Sequence, residues 1–310
     1  MGVVRSSLSP GLVQELIRQE ENPARSGLGL DRLAVDTIFR HGAVVGSCIE
    51  RFARLPRGMD LARQRIATCE AAGRAFASGL VILANELDGG CGRFRRAWHA
   101  PAGGLWMTLV LVNTLLPEAS RLYSLAAGIA CCEAVGGLLP SARLKWVNDV
   151  HIDRRKVAGI LIETMIGPRY GEEYILVGMG VNVNNSGFPA ALEGRAASLR
   201  EMLGQEIDLD LFAARLLAKL AWNIGLLHYE EARRLRLGSE TLPGDHPLVR
   251  RFRELSDTVG RRVRFGFNVQ EKPQFEARVL GIDPTGGLLL QLADSPAPLL
   301  EYAGEIVYLD

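Results

Sequence analysis

Apolar positions along this chain fall into distinct patterns. Near the start, Leu12, Val13, Leu16 and Ile17 form one stripe at helical spacing behind Ser9-Pro10, an N-cap followed by a proline at the first helical position. The spacing predicts a short helix, then a loop through the polar, glycine-containing stretch 22–30, so that residues 1–37 read as a small helical appendage. From Ile38 the pattern changes to short apolar runs at 79–84, 105–111, 144–147, 157–163 and 174–183. Most are nearly continuous, as strands covered on both faces would be. Between them, residues 119–139 are rich in Ala, Gly and Leu and predict a buried helix packed closely on a sheet. Leu209, Phe212, Ala213, Leu216, Leu217, Leu220, Ala221 and Ile224 repeat at three and four behind Asp208, which predicts a capped amphipathic helix. Past a boundary near Thr258, glycines and Pro273 punctuate the runs RVRFGF, FEARVLGI and LLLQL, and residues 258–310 read as a small β-barrel of the SH3 kind.

Composition narrows the class. Across 310 residues, 36 Lys+Arg stand against 35 Asp+Glu, a net charge of +1, so charge gives no support to a nucleic-acid partner. A chain that is 48% hydrophobic and 23% charged buries a sizeable core and is not globally disordered. With 6% aromatic residues and 34 glycines it suits a compact α/β or α+β protein. Cys48, Cys69, Cys91, Cys131 and Cys132 include no CxxC pair, and no His stands at metal-ligand spacing, so neither a disulfide framework nor a zinc site is expected. No signal-peptide stretch opens the chain and no run approaches the ~20 apolar residues of a membrane span. The expectation is a cytoplasmic protein with no membrane partner.

The chemistry concentrates in a few motifs. Asp88-Gly-Gly-Cys-Gly-Arg-Phe-Arg-Arg-Ala-Trp98 is a glycine-rich loop directly after a predicted strand, and Arg93, Arg95 and Arg96 offer forked donors to phosphate or carboxylate. A plain Gly/Arg surface loop is the alternative. Lys145-Trp-Val-Asn-Asp149 is followed by Arg155-Lys-Val-Ala-Gly-Ile-Leu-Ile-Glu163. A lysine among buried strands needs an anion; Asn148 and Asp149 add a hydrogen-bonding pair and a candidate magnesium ligand, or merely the turn of a hairpin. Gly178-Met-Gly-Val-Asn-Val-Asn184 is too short for a dinucleotide fingerprint. Cys91 sits among arginines that would lower a thiol's pKa, yet reads more simply as a small residue than as a nucleophile. His41, His99, His151, His228 and His246 have no acid or thiol neighbours in sequence and receive no catalytic role.

In order, GxGRxxRxW, KWxND, RKxAGILIE and GxGxNVN, with Gly286-Gly287-Leu288 and Gly304-Glu305-Ile306 in the tail, resemble the biotin–protein ligases from about Phe52 to the C-terminus. The resemblance implies an α+β fold: a mixed-sheet catalytic domain of the biotin/lipoate ligase, class II synthetase-like type over 38–257, with the SH3-like barrel after it. It implies activation of a carboxylate, biotin by default, with Mg-ATP to an acyl-adenylate, then transfer to a lysine of a carrier-protein domain of the biotin carboxyl carrier type. By the same resemblance Lys156 reaches the reacting carboxylate and phosphate, with Arg93 beside it as the second catalytic cation. Gly90, Gly92, Arg96, Trp98, Lys145, Asn148 and Asn182 match nucleotide or adenylate positions. Asp149 matches the metal end; Gly103 and Gly159 match positions where backbone approaches the acid. A homodimer is one arrangement that the resemblance allows.

The acid's head-group positions depart from the family. Its Ser-Thr-Asn aligns with Arg57-Gly58-Met59, its glutamine with Leu87, the loop's first arginine with Cys91 and the loop's third glycine with Arg95. Each buried polar partner left unpaired costs about 1–3 kcal/mol. The same chemistry on lipoate or a medium-chain fatty acid, suggested by apolar Met59 and Leu87, and a non-catalytic descendant that binds nucleotide or carrier are the alternatives.

Overall fold

The computed structural model describes residues 3–4, 6–27, 29–238 and 245–310. The chain opens with α1 (Pro10–Leu16), capped by Ser9, whose hydroxyl accepts from the Leu12 amide. A π-turn leads to α2 (Asn22–Ser26) and α3 (Arg32–Gly42), capped by Asp31. The loop expected over 22–30 is therefore partly helical, and Ile38, where strand patterning was expected to begin, lies inside α3. The reason is packing: Val35 and Ile38 are fully buried, and α3 runs against a long helix later in the chain.

The body continues as β1 (Cys48–Leu55), α4 (Gly58–Ala71), β2 (Leu80–Leu87), β3 (Leu105–Val112), α5 (Pro117–Ser120), α6 (Tyr123–Gly136), β4 (Arg143–Lys145), β5 (Asp149–Ile152), β6 (Arg155–Ile166), β7 (Glu173–Val181), α7 (Leu199–Leu203), α8 (Leu209–Leu237) and α9 (Pro247–Leu255). Its strands form one sheet in the order β1-β2-β3-β7-β6-β5-β4, with β1 and β2 parallel and the other pairs antiparallel. Alternation shows in which core each side chain joins. Val81, Leu83, Leu109 and Leu111 pack with α6 and α8, whereas Ile82, Ala84 and Val110 pack with Met59 and Ile66 of α4 on the opposite face. The run expected as one strand over 144–147 is instead the first half of a hairpin, in which Lys145 of β4 pairs with Asp149 of β5.

Close approach fixes α3 on α8. A Cβ at Gly42 would lie 1.8 Å from the Ala221 carbonyl oxygen, and one at Gly225 2.1 Å from that of Ile38. A buried ion network also joins the N-terminal helices to the body. Glu133 of α6 holds Arg25 and Arg251, and Glu21 holds Arg25 and Lys219. The appendage thus shares the main core.

The remaining strands, β8 (Arg262–Gly266), β9 (Phe275–Ile282), β10 (Leu288–Gln291), β11 (Leu299–Glu301) and β12 (Glu305–Tyr308), form an antiparallel sheet in the order β11-β10-β9-β8-β12, where the SH3-like unit was expected. Val263, Phe265, Val279, Leu288 and Ile306 are continuous with the core of the large sheet. At the seam the Thr258 hydroxyl accepts from the Trp146 amide and bonds the Tyr308 hydroxyl, which donates to Asp257. Both edges of the large sheet carry an added bridge, Val3 to Phe52 and Leu144 to Ser256. No helix among the described residues is long and apolar enough to cross a membrane.

Candidate functional site

The glycine-rich loop leaves the end of β2 and closes on itself, with the Trp98 amide donating to the Gly90 carbonyl at 2.8 Å and the Gly92 amide to the Arg96 carbonyl at 2.9 Å. At its tip Phe94 and Arg95 adopt left-handed φ values of 54° and 57°, a conformation that costs a non-glycine residue roughly 1–2 kcal/mol. Arg95 stands where the resemblance places a glycine, a residue that takes this backbone conformation without the steric cost. Arg93 and Arg96 flank the Phe94 ring, each 5.3 Å from its centroid. Both also reach the small sheet: Arg93 donates to the Gly304 carbonyl, and Arg96 pairs with Glu305 and donates to Asn268 Oδ1. Burial lowers the pKa of Arg93, against the pull of Glu305 and Asp149.

Beneath the loop lie β6 and β7, where Gly159 pairs with Gly180. A Cβ at Gly159 would stand 3.2 Å from Trp98 Cζ3, and one at Gly180 2.7 Å from Trp98 Nε1. The indole can rest on this floor only because both residues are glycine. Lys156 Nζ is 5.2 Å from the centre of that indole and 2.6 Å from Asp149 Oδ1. Lys145 lies over the Tyr308 ring at 5.2 Å; burial lowers the pKa of its ammonium and Asp149 opposes the shift. Asn148 Nδ2 donates to the Ile160 carbonyl, which pins the hairpin turn to β6. Asn182, buried at the end of β7, accepts from Asn185 Nδ2 at 3.2 Å, and Gly103 packs against the backbone of Asn184 and Asn185. Trp98 Nε1 and Arg96 Nε are buried donors without a partner among the described residues. Both are enclosed by protein, the Trp98 nitrogen against the backbone of Gly180.

Beside this floor is a cavity of about 350 Å³, walled by the loop from Cys91 to Arg95 and by Arg57, Leu161 and Glu163. Glu163 accepts from Arg57 at 2.5 Å and also pairs with Arg63. Burial works to raise the Glu163 carboxyl, but hydrogen bonds from Arg63 and Arg57 outweigh it and hold it below the usual range. Glu163 and Leu161 escaped the sequence reading as site residues. Strand alternation from Gly159 through Leu161 to Glu163 was the signal, since it puts all three on one face.

Not every expected residue reaches the cavity. Arg57 and Cys91 line it, whereas Met59 is buried in the apolar cluster under α4 with its methyl against Gly178. Gly58 is buried against Thr108, and Leu87 packs at the edge of the same cluster. These three are brought into packing, where their lack of polar groups is an asset. For a metal, no group of three or more His, Cys, Asp or Glu side chains occurs among the described residues. Mg²⁺ commonly takes one or two carboxylates and completes its shell with water and substrate phosphates; Asp149, with one oxygen on Lys156 and the other left over, fits that pattern.

Comparison with known proteins agrees with this architecture. The profile of the "Biotin/lipoate A/B protein ligase family" matches residues 68–182. A biotin–[acetyl-CoA-carboxylase] ligase of Mycobacterium tuberculosis is 33% identical over 204 residues, 60% of this chain and 74% of that one. The chain belongs to the biotin–protein ligase family. Another relative, the bifunctional ligase/repressor BirA of Bacillus spizizenii, is 33% identical over 136 residues, 42% of this chain and 41% of its own length. The chain therefore spans about two fifths of that relative. Among solved structures, the biotin protein ligase from Aquifex aeolicus in complex with biotin and ATP superposes with a TM-score of 0.64 at 20% identity, covering 84% of this chain and 99% of that one. The family fold thus extends over most of the chain.

Proposed function

We propose that this family member is an ATP-dependent biotin–protein ligase. The carrying observation is Lys156, held at 2.6 Å by Asp149 and 5.2 Å from the Trp98 indole, on the floor that the glycine-rich loop covers. In this reading the acid's carboxylate attacks the α-phosphorus of ATP, pyrophosphate leaves, and the acyl-adenylate is then attacked at its carbonyl carbon by a carrier lysine, releasing AMP. Lys156 steadies the charge that builds between carboxylate and phosphate, and Arg93 adds a second fixed cation. The Trp98 indole, seated on the glycine floor beside Lys156, supports adenylate binding at the loop. Asp149 would hold Mg²⁺, which neutralises phosphate charge when bound.

Part of the same proposal is the division of labour, with residues 38–257 carrying the chemistry and 258–310 bracing the loop through Glu305 and Gly304. The partner is a carrier domain presenting a lysine. The five cysteines are free, which suits the reducing cytoplasm.

The test is acid-dependent ATP–pyrophosphate exchange with magnesium, in parallel with biotin, lipoate, octanoate and no acid. Exchange with biotin, abolished by Lys156→Ala, is expected. Undiminished exchange in Lys156→Ala would remove the lysine from the chemistry, and exchange with another acid alone would displace biotin.

A further inference from the structure

We infer that Tyr308, on β12 of the small sheet, is the positioning residue for Lys145: its ring seats the ammonium beside Asp149 and Lys156, where it is left for the phosphates of the nucleotide. The inference rests on the ligase reading for its ligand, and adds the residue through which the small sheet serves that site.

Lys145 differs from the other cations around it. Lys156 has Asp149 at 2.6 Å, Arg96 has Glu305, and Arg93 has the Gly304 carbonyl. Lys145 stands opposite Asp149 in the β4–β5 register, yet among the described residues its ammonium makes no ion pair and no hydrogen bond; it rests over the Tyr308 ring, 5.2 Å from the centroid. Asp149, Glu305 and Asp257 attract it from farther off, and Lys156 repels it. A partly buried ammonium without an anion is costly, and a ring face offsets part of that cost without neutralising the charge. A carboxylate in the ring's place would occupy the ammonium. The aromatic seat keeps it available to an anion that a ligand brings, and phosphate oxygens arriving beside Asp149 are such an anion.

The ring is itself fixed by its hydroxyl. The Trp146 amide donates to Thr258 Oγ1 at 3.1 Å, Thr258 and Tyr308 share a hydrogen bond of 2.8 Å, the Tyr308 hydroxyl donates to Asp257 Oδ1 at 2.9 Å, and His151 Nε2 meets the same carboxylate oxygen at 3.0 Å. Each hydroxyl has one proton to give; with the Tyr308 proton on Asp257, the Thr258 proton goes to Tyr308. His151 also meets the ring edge-on at 6.2 Å, and Arg261, paired with Asp257 and Asp310, lies 5.1 Å from its centre. The chain of bonds begins at Trp146, the residue after Lys145, and Ser256 bridges Leu144, the residue before it. The strand that carries Lys145 and the ring that receives its ammonium are thus locked together. Tyr308 acts through Lys145, and Asp257 and His151 act through Tyr308.

The experiment measures Mg-ATP binding by calorimetry without acid, and ATP–pyrophosphate exchange with biotin, for the wild-type chain, Tyr308→Leu, Tyr308→Phe, Lys145→Ala and the double variant of Lys145→Ala with Tyr308→Leu. Thermal melts check folding, and Tyr308→Met, which fills the space with a flexible side chain, replaces Tyr308→Leu should the latter not fold. Tyr308→Leu is expected to raise Kd and KM for ATP roughly ten-fold, the scale of a partly desolvated cation–π contact, and to leave KM for biotin in place. Tyr308→Phe keeps the ring and should keep most of the ATP affinity while its melt falls, because Asp257 and Thr258 lose a partner. In the Lys145→Ala background the leucine should add nothing to the loss of ATP affinity, since a residue that acts through Lys145 then has nothing to position. ATP held by folded Tyr308→Leu as tightly as by the wild type overturns the inference, as do equal losses with and without Lys145, or a Tyr308→Phe chain that loses as much as Tyr308→Leu. A wild type that binds ATP with the expected dependence on Tyr308 but exchanges with no acid refutes the ligase reading and leaves Tyr308 as the seat of Lys145. Exchange with biotin that Tyr308→Leu leaves unmoved does the reverse, and a wild type that binds no ATP overturns both.

Discussion

Replacing Gly180 by alanine tests the glycine floor directly. The added methyl would sit 2.7–2.9 Å from three atoms of the Trp98 indole, against the ~3.5–4 Å of ordinary carbon contact. Something must move by close to an ångström. Gly180 lies in β7, a central strand hydrogen-bonded to β3 on one side and β6 on the other, so the strand is the stiff partner. Trp98 is carried by a loop and is only partly buried, so the ring lifts. Overpacking costs about 1–3 kcal/mol in a tight core, and here the lower end applies because one side yields. Lifting also draws the indole away from Lys156, whose 5.2 Å separation is close to the reach of a cation–π contact. The expected outcome is a stability loss of about 1 kcal/mol with a fall in exchange rate of the order of a hundred-fold, the scale set by a 1 Å misplacement.

Urea melts and exchange assays on one preparation separate the two effects. Gly287→Ala is the matched comparison: its methyl would meet Leu300 Cδ1 at 2.7 Å, in the small sheet and away from the loop. It should lower stability by a similar amount and leave exchange per folded molecule near wild type. Full exchange in Gly180→Ala, or equal losses of exchange in both variants, would refute the idea that Trp98 must rest on β6 and β7 for the reaction.

Glu305→Gln unlatches Arg96 from the small sheet; because the pair is partly exposed the melt should shift by no more than about 1 kcal/mol, while KM for ATP rises several-fold, and an unchanged KM would mean the latch does not shape the loop. Glu133→Gln leaves Arg25, at 11% side-chain exposure, without its main partner and should cost about 3–5 kcal/mol in a denaturant melt; a neutral result would show that the N-terminal helices are held by packing alone. Burial lowers His228 to about 4 and His246 to about 3 from the ordinary 6.5, so on acidification the unfolded chain takes up these protons first. Stability is therefore complete above about pH 6.5 and declines as pH falls toward 4. His246 Nδ1 accepts from the Leu248 amide as the cap of α9, so His246→Asn should keep the cap and flatten part of that decline; identical slopes for variant and wild type would exclude His246 as a contributor.

How far the sequence disclosed this protein follows from what each signal is made of. Strands buried on both faces announce themselves as continuous apolar runs, which is why β2, β3, β6 and β7 were legible. β1 was not, because an edge strand with one wet face alternates Glu50, Arg51 and Arg54 among its apolar residues and reads as loop or helix. α3 was missed for a related reason: its buried face is narrow, and what seats it is the pair Gly42 and Gly225, whose meaning exists only once two helices lie together. In the site, motif spacing pointed to Lys156, Asp149 and Trp98, which the fold brings together. It could not tell which of Arg57, Gly58 and Met59 faces the cavity, since a helix start places neighbouring residues in different directions.

The geometry also divides the candidate site into a stiff part and an adaptable one. Lys156, Gly159 and Gly180 stand on adjacent strands in the middle of the sheet, where any shift would disturb ladders on both sides. Arg57 stands at the start of α4 and Cys91 on the glycine-rich loop, and both line the cavity. Glu163 of β6 holds Arg57 and Arg63 together, so a neutral residue at position 57 would leave the carboxylate one counter-ion. The floor is constrained by the sheet's hydrogen bonds and the cavity wall by side-chain pairing; substitutions in the wall should therefore disturb the fold less than substitutions in the floor.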